Sequence, residues 1–204
     1  NLCWGACFPT REEARAAADK LSALGVNLVR IHKIDSTVPN GSIFGNNHTS
    51  TRRFDPEYMD RFDYLVAQLK AAGIYIDFDL FTDRRFTPLD GTAGSHWNRL
   101  YKAAIMFDPE LRALQKEFAR QFMEHRNPYT GLKYCDEPAL AIVGVANETS
   151  MYYQWNSKAI DDLGPYFGPQ LDRLFNDYLA KTYGGSETLS AAWGRAEELG
   201  KVKR

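Results

Sequence analysis

The sequence predicts an α/β protein with a parallel sheet, and among such folds it favours the (β/α)8 barrel. Segments with helical and strand periodicity alternate along the 204 residues, as expected where each strand is followed by a crossover helix. The connections after two strands are long, at 35–54 and 82–107, whereas Gly25 alone separates the first helix from the next strand. No glycine-rich phosphate loop follows any strand, which disfavours a nucleotide-binding doubly wound sheet.

Capping residues mark the starts of the predicted helices. Thr10 and Glu13 form a capping box in the sequence, because each side chain can accept a hydrogen bond from a free amide of the first turn. Asp55 and Asp108 each precede a proline, which is typical of an N-cap followed by the first helical position. The predicted helices span 14–24 and 169–183, and others start at 56, 109 and 186.

Three runs of branched and aromatic residues, 26–31, 74–81 and 140–146, are predicted strands. The third run is almost wholly apolar, so we expect it to be buried on both faces. Ligands of parallel α/β folds bind at the carboxyl ends of the strands. Since the long connections also lie there, we expect the working surface at that end.

Composition narrows the classes of partner. Lys and Arg number 25 against 26 Asp and Glu, so the basic excess of a nucleic-acid-binding or membrane-surface protein is missing. No apolar run reaches the roughly 18 to 20 residues of a membrane-spanning helix. Cys3, Cys7 and Cys135 contain no CxxC pair and indicate neither a disulfide framework nor a zinc site. We therefore expect no nucleic acid, no membrane and no cofactor.

The strongest chemical signal is the pair Asn147 and Glu148 at the end of the most apolar strand. A carboxylate at a barrel mouth beside an apolar wall is held in its protonated form by loss of water, and a general acid needs that form. Asn147 offers a donor and an acceptor to a substrate hydroxyl. The alternative is a helix-capping Glu on a loop.

Arg30 and His32 lie two residues apart on one strand and therefore point to the same side. An Arg there can hold a second carboxylate ionised, as a nucleophile requires, while His32 alone is more often structural. Asp77, Asp79 and Phe81 form another predicted same-side row. Two acids could ligate a metal, but no clear third ligand accompanies them, so we expect no metal site.

Aromatic residues follow the predicted strand ends or lie in the long connections: Trp4, Trp97, Tyr152, Tyr153 and Trp155. Their flat faces suit sugar rings, whose C–H groups pack on aromatic surfaces. Each alone is as often core packing, but the cluster in 151–156 favours a binding surface. The predicted substrate-binding residues are Arg30, His32, Asp79, Asn147, Trp4, Tyr152 and Trp155, with Glu148 catalytic.

Three segments, 28–35, 73–80 and 145–148, resemble successive strands of a clan A glycoside hydrolase, and most closely the cellulase-like, family 5-type enzymes. The segments 127–131 and 189–194 resemble the same group. The most specific element is the strand-terminal Asn-Glu pair in the correct order after the Arg strand.

This resemblance implies a (β/α)8 barrel that cleaves β-glycosidic bonds of oligo- or polysaccharides with retention. Glu148 corresponds to the acid/base on the fourth strand, Asn147 to the neighbour that binds the sugar 2-hydroxyl, and Arg30 to the Arg near the nucleophile. That nucleophile lies on the seventh strand, and a complete barrel takes about 250 residues. We therefore expect 1–204 to be a single partial domain, roughly the first four βα units, inactive alone and completed by a C-terminal half that carries the nucleophile beyond Arg204.

Two departures from the family pattern keep other hypotheses open. Phe81 stands where a His often closes the third strand, and Gly144 and Ala146 are small where related sequences tend to be polar. One alternative is a non-catalytic glycan-binding or scaffold barrel, and another is a complete small α/β protein unrelated to glycosidases. A polymeric substrate would favour an extracellular or periplasmic location.

Overall fold

The computed structural model of the chain describes residues 1–37, 39–46, 49–92 and 101–203. Four parallel strands form one sheet whose spatial order equals their order in the chain. They are β1 (Leu2–Cys3), β2 (Leu28–His32), β3 (Tyr75–Asp79) and β4 (Leu140–Gly144). This order confirms the predicted parallel α/β architecture. β1 was not predicted, since two residues are too short to show a period.

Helices separate the strands, as the sequence predicts. They are α1 (Arg11–Ala23), α2 (Pro56–Ala71), α3 (Tyr101–Ala104), α4 (Pro109–Glu124), α5 (Met151–Asn156), α6 (Gly164–Tyr183) and α7 (Ser186–Trp193). The predicted capping box is present, with Thr10 accepting from the Glu13 amide and Glu13 from the Thr10 amide. α6 begins earlier than predicted because Pro165 fills its first turn, so that Pro169 lies inside the helix. No helix within the described ranges is both long and apolar enough to cross a membrane.

The period of two along β2 and β3 separates an apolar face from a polar one. Ile31, Ile76 and Phe78 are buried against α2 and α4, where Phe78 stacks on Phe122 at a centroid distance of 4.4 Å. Fully burying each such side chain stabilises the fold by about 1.5–3 kcal/mol. The opposite face of the same strands carries the polar residues of the candidate site.

Two predictions about the strands are wrong. β4 is not buried on both faces, because it pairs only with β3 within the described sheet, and Ile142 and Val145 are 50% and 78% exposed. Phe81 does not continue the row of Asp77 and Asp79. β3 ends at Asp79, and Phe81 is buried in a second cluster with residues of α3, α4 and α6.

Buried charged residues tie the two long connections together. Asp35 accepts hydrogen bonds from the Thr82 hydroxyl and, at 2.8 Å, from the Thr82 amide, although burial raises the pKa of its carboxyl. Arg84 donates to the carbonyl oxygens of Thr51 and Leu114 at 2.8 and 2.9 Å, and burial lowers the pKa of its guanidinium to about 10. Asp90 adds a third tie, since it accepts from the amide of Thr51 at 2.6 Å. These hydrogen bonds hold the two long connections together beside the carboxyl ends of the strands.

Candidate active site

Arg30, His32 and Asp79 meet at the carboxyl ends of β2 and β3. One oxygen of Asp79, Oδ2, lies 3.0 Å from Arg30 Nε, 2.6 Å from Arg30 Nη2 and 2.7 Å from His32 Nδ1. Because a carboxylate only accepts, His32 Nδ1 is the donor in its contact with Asp79. Asp77 is farther from the same guanidinium, at 4.0 Å. Strand spacing predicts that Arg30 and His32 share one side of β2, and in the structure both contact Asp79 of β3.

Asn147 joins this cluster from the segment after β4. Its backbone amide donates to the carbonyl of Phe81 at 2.8 Å, which extends the ladder beyond the two strands. Its side-chain Oδ1 accepts from Arg30 Nη2 at 2.8 Å. Four predicted substrate-binding residues, Arg30, His32, Asp79 and Asn147, thus form one hydrogen-bonded group, which we call the polar cluster.

Glu148 follows Asn147 in a left-handed backbone conformation, with φ 50°. A non-glycine residue in this region costs about 1–2 kcal/mol, and such strain is often found at functional sites. Its carboxylate lies 3.8 Å from Lys102 Nζ and is 77% exposed. The apolar wall expected around Glu148 is therefore absent from the part of the chain that the structure describes, because the strand before it is an exposed edge.

The aromatic residues predicted to bind sugar lie in two other places. Trp4 starts a short 3-10 helix after β1, with Lys33 Nζ 5.0 Å from the centre of its ring. Tyr152 and Trp155 are exposed on α5, with ring centroids 5.9 Å apart. Tyr152 and Trp155 follow the segment that supplies Asn147, whereas Trp4 follows β1, the neighbour of β2 in the sheet. Trp97 lies outside the described residues.

The sequence did not identify Lys102 as part of the site, and it singled out Gly144 only as a departure from the family pattern. Lys102 donates to the carbonyl of Asn147 at 3.3 Å in addition to its ion pair with Glu148. Gly144 is the Cα partner of Asp79, and a Cβ atom at 144 would overlap Asp79 Oδ1. Among the described residues, no three His, Cys, Asp or Glu side chains converge as a metal site would require.

No family model and no curated protein matches this sequence, whereas several solved structures share its fold. The endo-1,4-β-mannanase of Rhizomucor miehei superposes with a TM-score of 0.55 at 17% identity, over 76% of this chain and 49% of that one. The endo-β-1,4-mannanase of Thermotoga petrophila superposes with a TM-score of 0.52 at 17% identity, over 86% and 38%. A family 5 glycoside hydrolase mannosidase of Rhizomucor miehei has a TM-score of 0.52 at 15% identity, over 81% and 46%.

The chain therefore spans less than half the length of each of these three structures. At such identities the likeness is one of fold, and it agrees with the strand order found here. The chain has the fold of a clan A, family 5-type glycoside hydrolase, and its parallel strands with their helices correspond to roughly the first four βα units of a (β/α)8 barrel.

Proposed function

We propose that the full-length protein containing this chain is a retaining glycoside hydrolase that acts on β-linked glycans. The observation that carries the proposal is the polar cluster beside Glu148 at the carboxyl ends of the strands. Arg30 donates to both Asp79 and Asn147, and Asn147 precedes a carboxylate that solvent and substrate can reach. Catalytic groups of (β/α)8 barrels lie at this end of the sheet.

Glu148 is the general acid/base in this proposal. A carboxylate beyond Arg204 attacks the anomeric carbon, and Glu148 gives its proton to the leaving oxygen as the glycosidic bond breaks. Glu148 then takes a proton from water, which attacks the anomeric carbon and displaces the enzyme carboxylate. Two displacements return the original configuration, and they require the two carboxyl groups to lie about 5–5.5 Å apart.

Asn147 and the aromatic residues bind the sugar chain. The Asn147 amide contacts the 2-hydroxyl next to the reacting carbon, a contact that strengthens in the transition state. Trp4 and the pair Tyr152 and Trp155 offer flat faces on either side of the polar cluster along the sheet. Such faces pack on the C–H groups of sugar rings.

We infer the first substrate class to test from the structures that share the fold. The structures compared above are described as mannanases and a mannosidase, so β-1,4-linked mannan and manno-oligosaccharides come first. β-1,4-Glucan is the natural comparison, because it differs from mannan at the 2-hydroxyl that Asn147 contacts.

The experiment measures turnover by the full-length protein of mannan, cellulose and an activated aryl β-mannobioside, and follows the released anomer by proton NMR. We expect the β-anomer to appear first and then mutarotate. Initial release of the α-anomer would contradict a retaining mechanism. Tight glycan binding without turnover would instead support the non-catalytic barrel.

A further inference from the structure

We propose that Asp79 is a positioning residue and not a substrate ligand: it holds Arg30, Arg30 orients the Asn147 amide, and Gly144 makes room for the Asp79 carboxylate. The sequence predicted a direct sugar contact for Asp79. This inference rests on the proposed function, because the contact it serves is that of Asn147 with a sugar hydroxyl.

Oδ2 of Asp79 has no hydrogen-bonding capacity left for a sugar. It takes N–H groups from Arg30 at 2.6 and 3.0 Å and from His32 at 2.7 Å, more than the two or so lone-pair positions of one oxygen. Only 7% of the side chain is exposed. Oδ2 is therefore committed to the two residues of β2, while Oδ1 lies against Gly144.

The position of the Asp79 carboxylate requires a residue without a side chain at position 144. β3 and β4 are in register at Asp79 and Gly144, and a Cβ atom at 144 would overlap Asp79 Oδ1. From the sequence alone, Gly144 is a departure from the family pattern. The structure assigns it a purpose, since the carboxylate from β3 fills the space that a polar side chain from β4 would take.

Arg30 transmits the position of Asp79 to Asn147. Arg30 Nη2 donates to Asp79 Oδ2 at 2.6 Å and to Asn147 Oδ1 at 2.8 Å. A guanidinium has donors only, so the amide must turn its oxygen toward Arg30 and its NH2 group away. The NH2 group is then the end that meets the sugar, and Asn147 binds the 2-hydroxyl as a donor.

The test compares an aryl β-mannoside with its 2-deoxy counterpart in the full-length protein. If Asp79 acts through Asn147, Asp79→Ala should lower kcat/KM about 10- to 100-fold on the parent substrate and less than about twofold on the 2-deoxy substrate, where the contact is already missing. Asp77→Asn is the matched control, since it removes a charge from the same face of β3 at 4.0 Å from Arg30. Equal losses on both substrates would overturn the proposal.

A second arm tests Gly144. Gly144→Ala should reproduce the loss by displacing Asp79, and the Gly144→Ala/Asp79→Ala double variant should be no slower than Asp79→Ala alone. Multiplying losses would overturn the coupling. Matched thermal midpoints would exclude unfolding as the cause.

A third readout does not depend on turnover. The NMR resonances of the Asn147 side-chain amide should shift in Asp79→Ala and stay in place in Asp77→Asn, while the Arg30 Nε–H becomes faster to exchange in Asp79→Ala. Unchanged Asn147 resonances in Asp79→Ala would overturn the inference. A wild-type protein that hydrolyses neither glycoside would contradict the proposed function, and the resonances would still decide the role of Asp79.

Discussion

Arg30 Nη2 donates a hydrogen bond of 2.8 Å to Asn147 Oδ1, joining residues 117 positions apart. The bond starts on β2 and ends beyond β4, so the guanidinium reaches across β3, whose Asp79 it also contacts. One cation thereby links three consecutive βα units at the end of the sheet where substrates of this fold bind. The orientation of the Asn147 amide is a tertiary property, set from two strands away.

Asn147→Ala should lower kcat more than it raises KM. The lost contact is strongest in the transition state, so its removal should slow kcat about 10- to 100-fold while KM changes less than about threefold. Steady-state kinetics on a β-mannan oligosaccharide measure both constants. Thr149→Ala, which removes a methyl group and the hydroxyl that donates to the Asn147 carbonyl at 3.1 Å, is the nearby comparison. A rise in KM at constant kcat would instead indicate uniform substrate binding.

Arg30→Lys should be damaging although it keeps the charge. Arg30 uses Nε and Nη2 at once to contact Asp79 and Asn147, and a single ammonium cannot reproduce that fork. We expect kcat/KM to fall about 10- to 100-fold. Arg61→Lys provides the control, because Arg61 forms an exposed ion pair with Glu57 on α2. Near-normal kinetics in Arg30→Lys would show that the charge alone suffices.

Asp90 should make the fold sensitive to acid. Burial opposes its ionisation, but hydrogen bonds from Ser50, Thr87 and Thr51 outweigh that effect and hold the pKa of the Asp90 carboxyl below its ordinary value. A depressed pKa stabilises the fold above the unfolded value of about 3.9 and loses that contribution as pH falls toward the folded value. Asp90→Asn should therefore cost about 1–3 kcal/mol at pH 7 and progressively less below about pH 4.

Urea unfolding between pH 3 and 7 measures this difference. Asp161→Asn, at an exposed carboxylate, should change the free energy of unfolding by less than about 0.5 kcal/mol at every pH. A difference between wild type and Asp90→Asn that grows as pH falls would contradict the assigned direction.

The exposed edge at β4 should make residues 1–204 self-associate when they are expressed alone. Apolar side chains and unpaired backbone groups on an edge strand template pairing with another chain, and Ile142 and Val145 are largely exposed there. Val145→Lys should reduce the associated fraction in light scattering, whereas Leu24→Lys, at an exposed position after α1, should not. A monomer at micromolar concentration would contradict this prediction.

Local chemistry explains what could be predicted about the fold. The capping box at Thr10 and the Asp-Pro pairs at 55 and 108 specify helix starts through neighbours in the sequence, and the structure confirms each of them. The two-residue strand β1 and the exposure of β4 depend on pairing between distant segments. No local pattern reports such pairing.

The same distinction applies to the candidate site. Strand periodicity alone predicts that Arg30 and His32 share a side, because the period of two is a property of the strand. The contact between Asp79 and Gly144 depends on the register of β3 against β4, which shifts between Ile76 and Asp77. Lys102 reaches Glu148 from a separate connection. The sequence therefore identifies candidate site residues, but it does not show which residues they contact.

Glu148→Ala should affect substrates according to their leaving groups. Unactivated glycans need the proton that Glu148 supplies, so their hydrolysis should slow about 10²- to 10⁴-fold, the usual contribution of general acid catalysis. An activated aryl mannobioside needs no proton in the first step and should still form the glycosyl-enzyme. That intermediate should accumulate, because the base that activates water is also missing.

Azide distinguishes this role of Glu148 from the alternatives. A small anion attacks without base assistance and fits the space that the carboxylate leaves, so azide should restore turnover of the aryl substrate and release a β-glycosyl azide. Lys102→Met removes the ion-pair partner at 3.8 Å but keeps the carboxylate, and azide should give that variant no rescue. An equal loss of activity on both substrate classes, without azide rescue, would instead indicate that Glu148 is the nucleophile or that Glu148→Ala does not fold correctly. Unchanged activity on unactivated glycans would remove Glu148 from the mechanism.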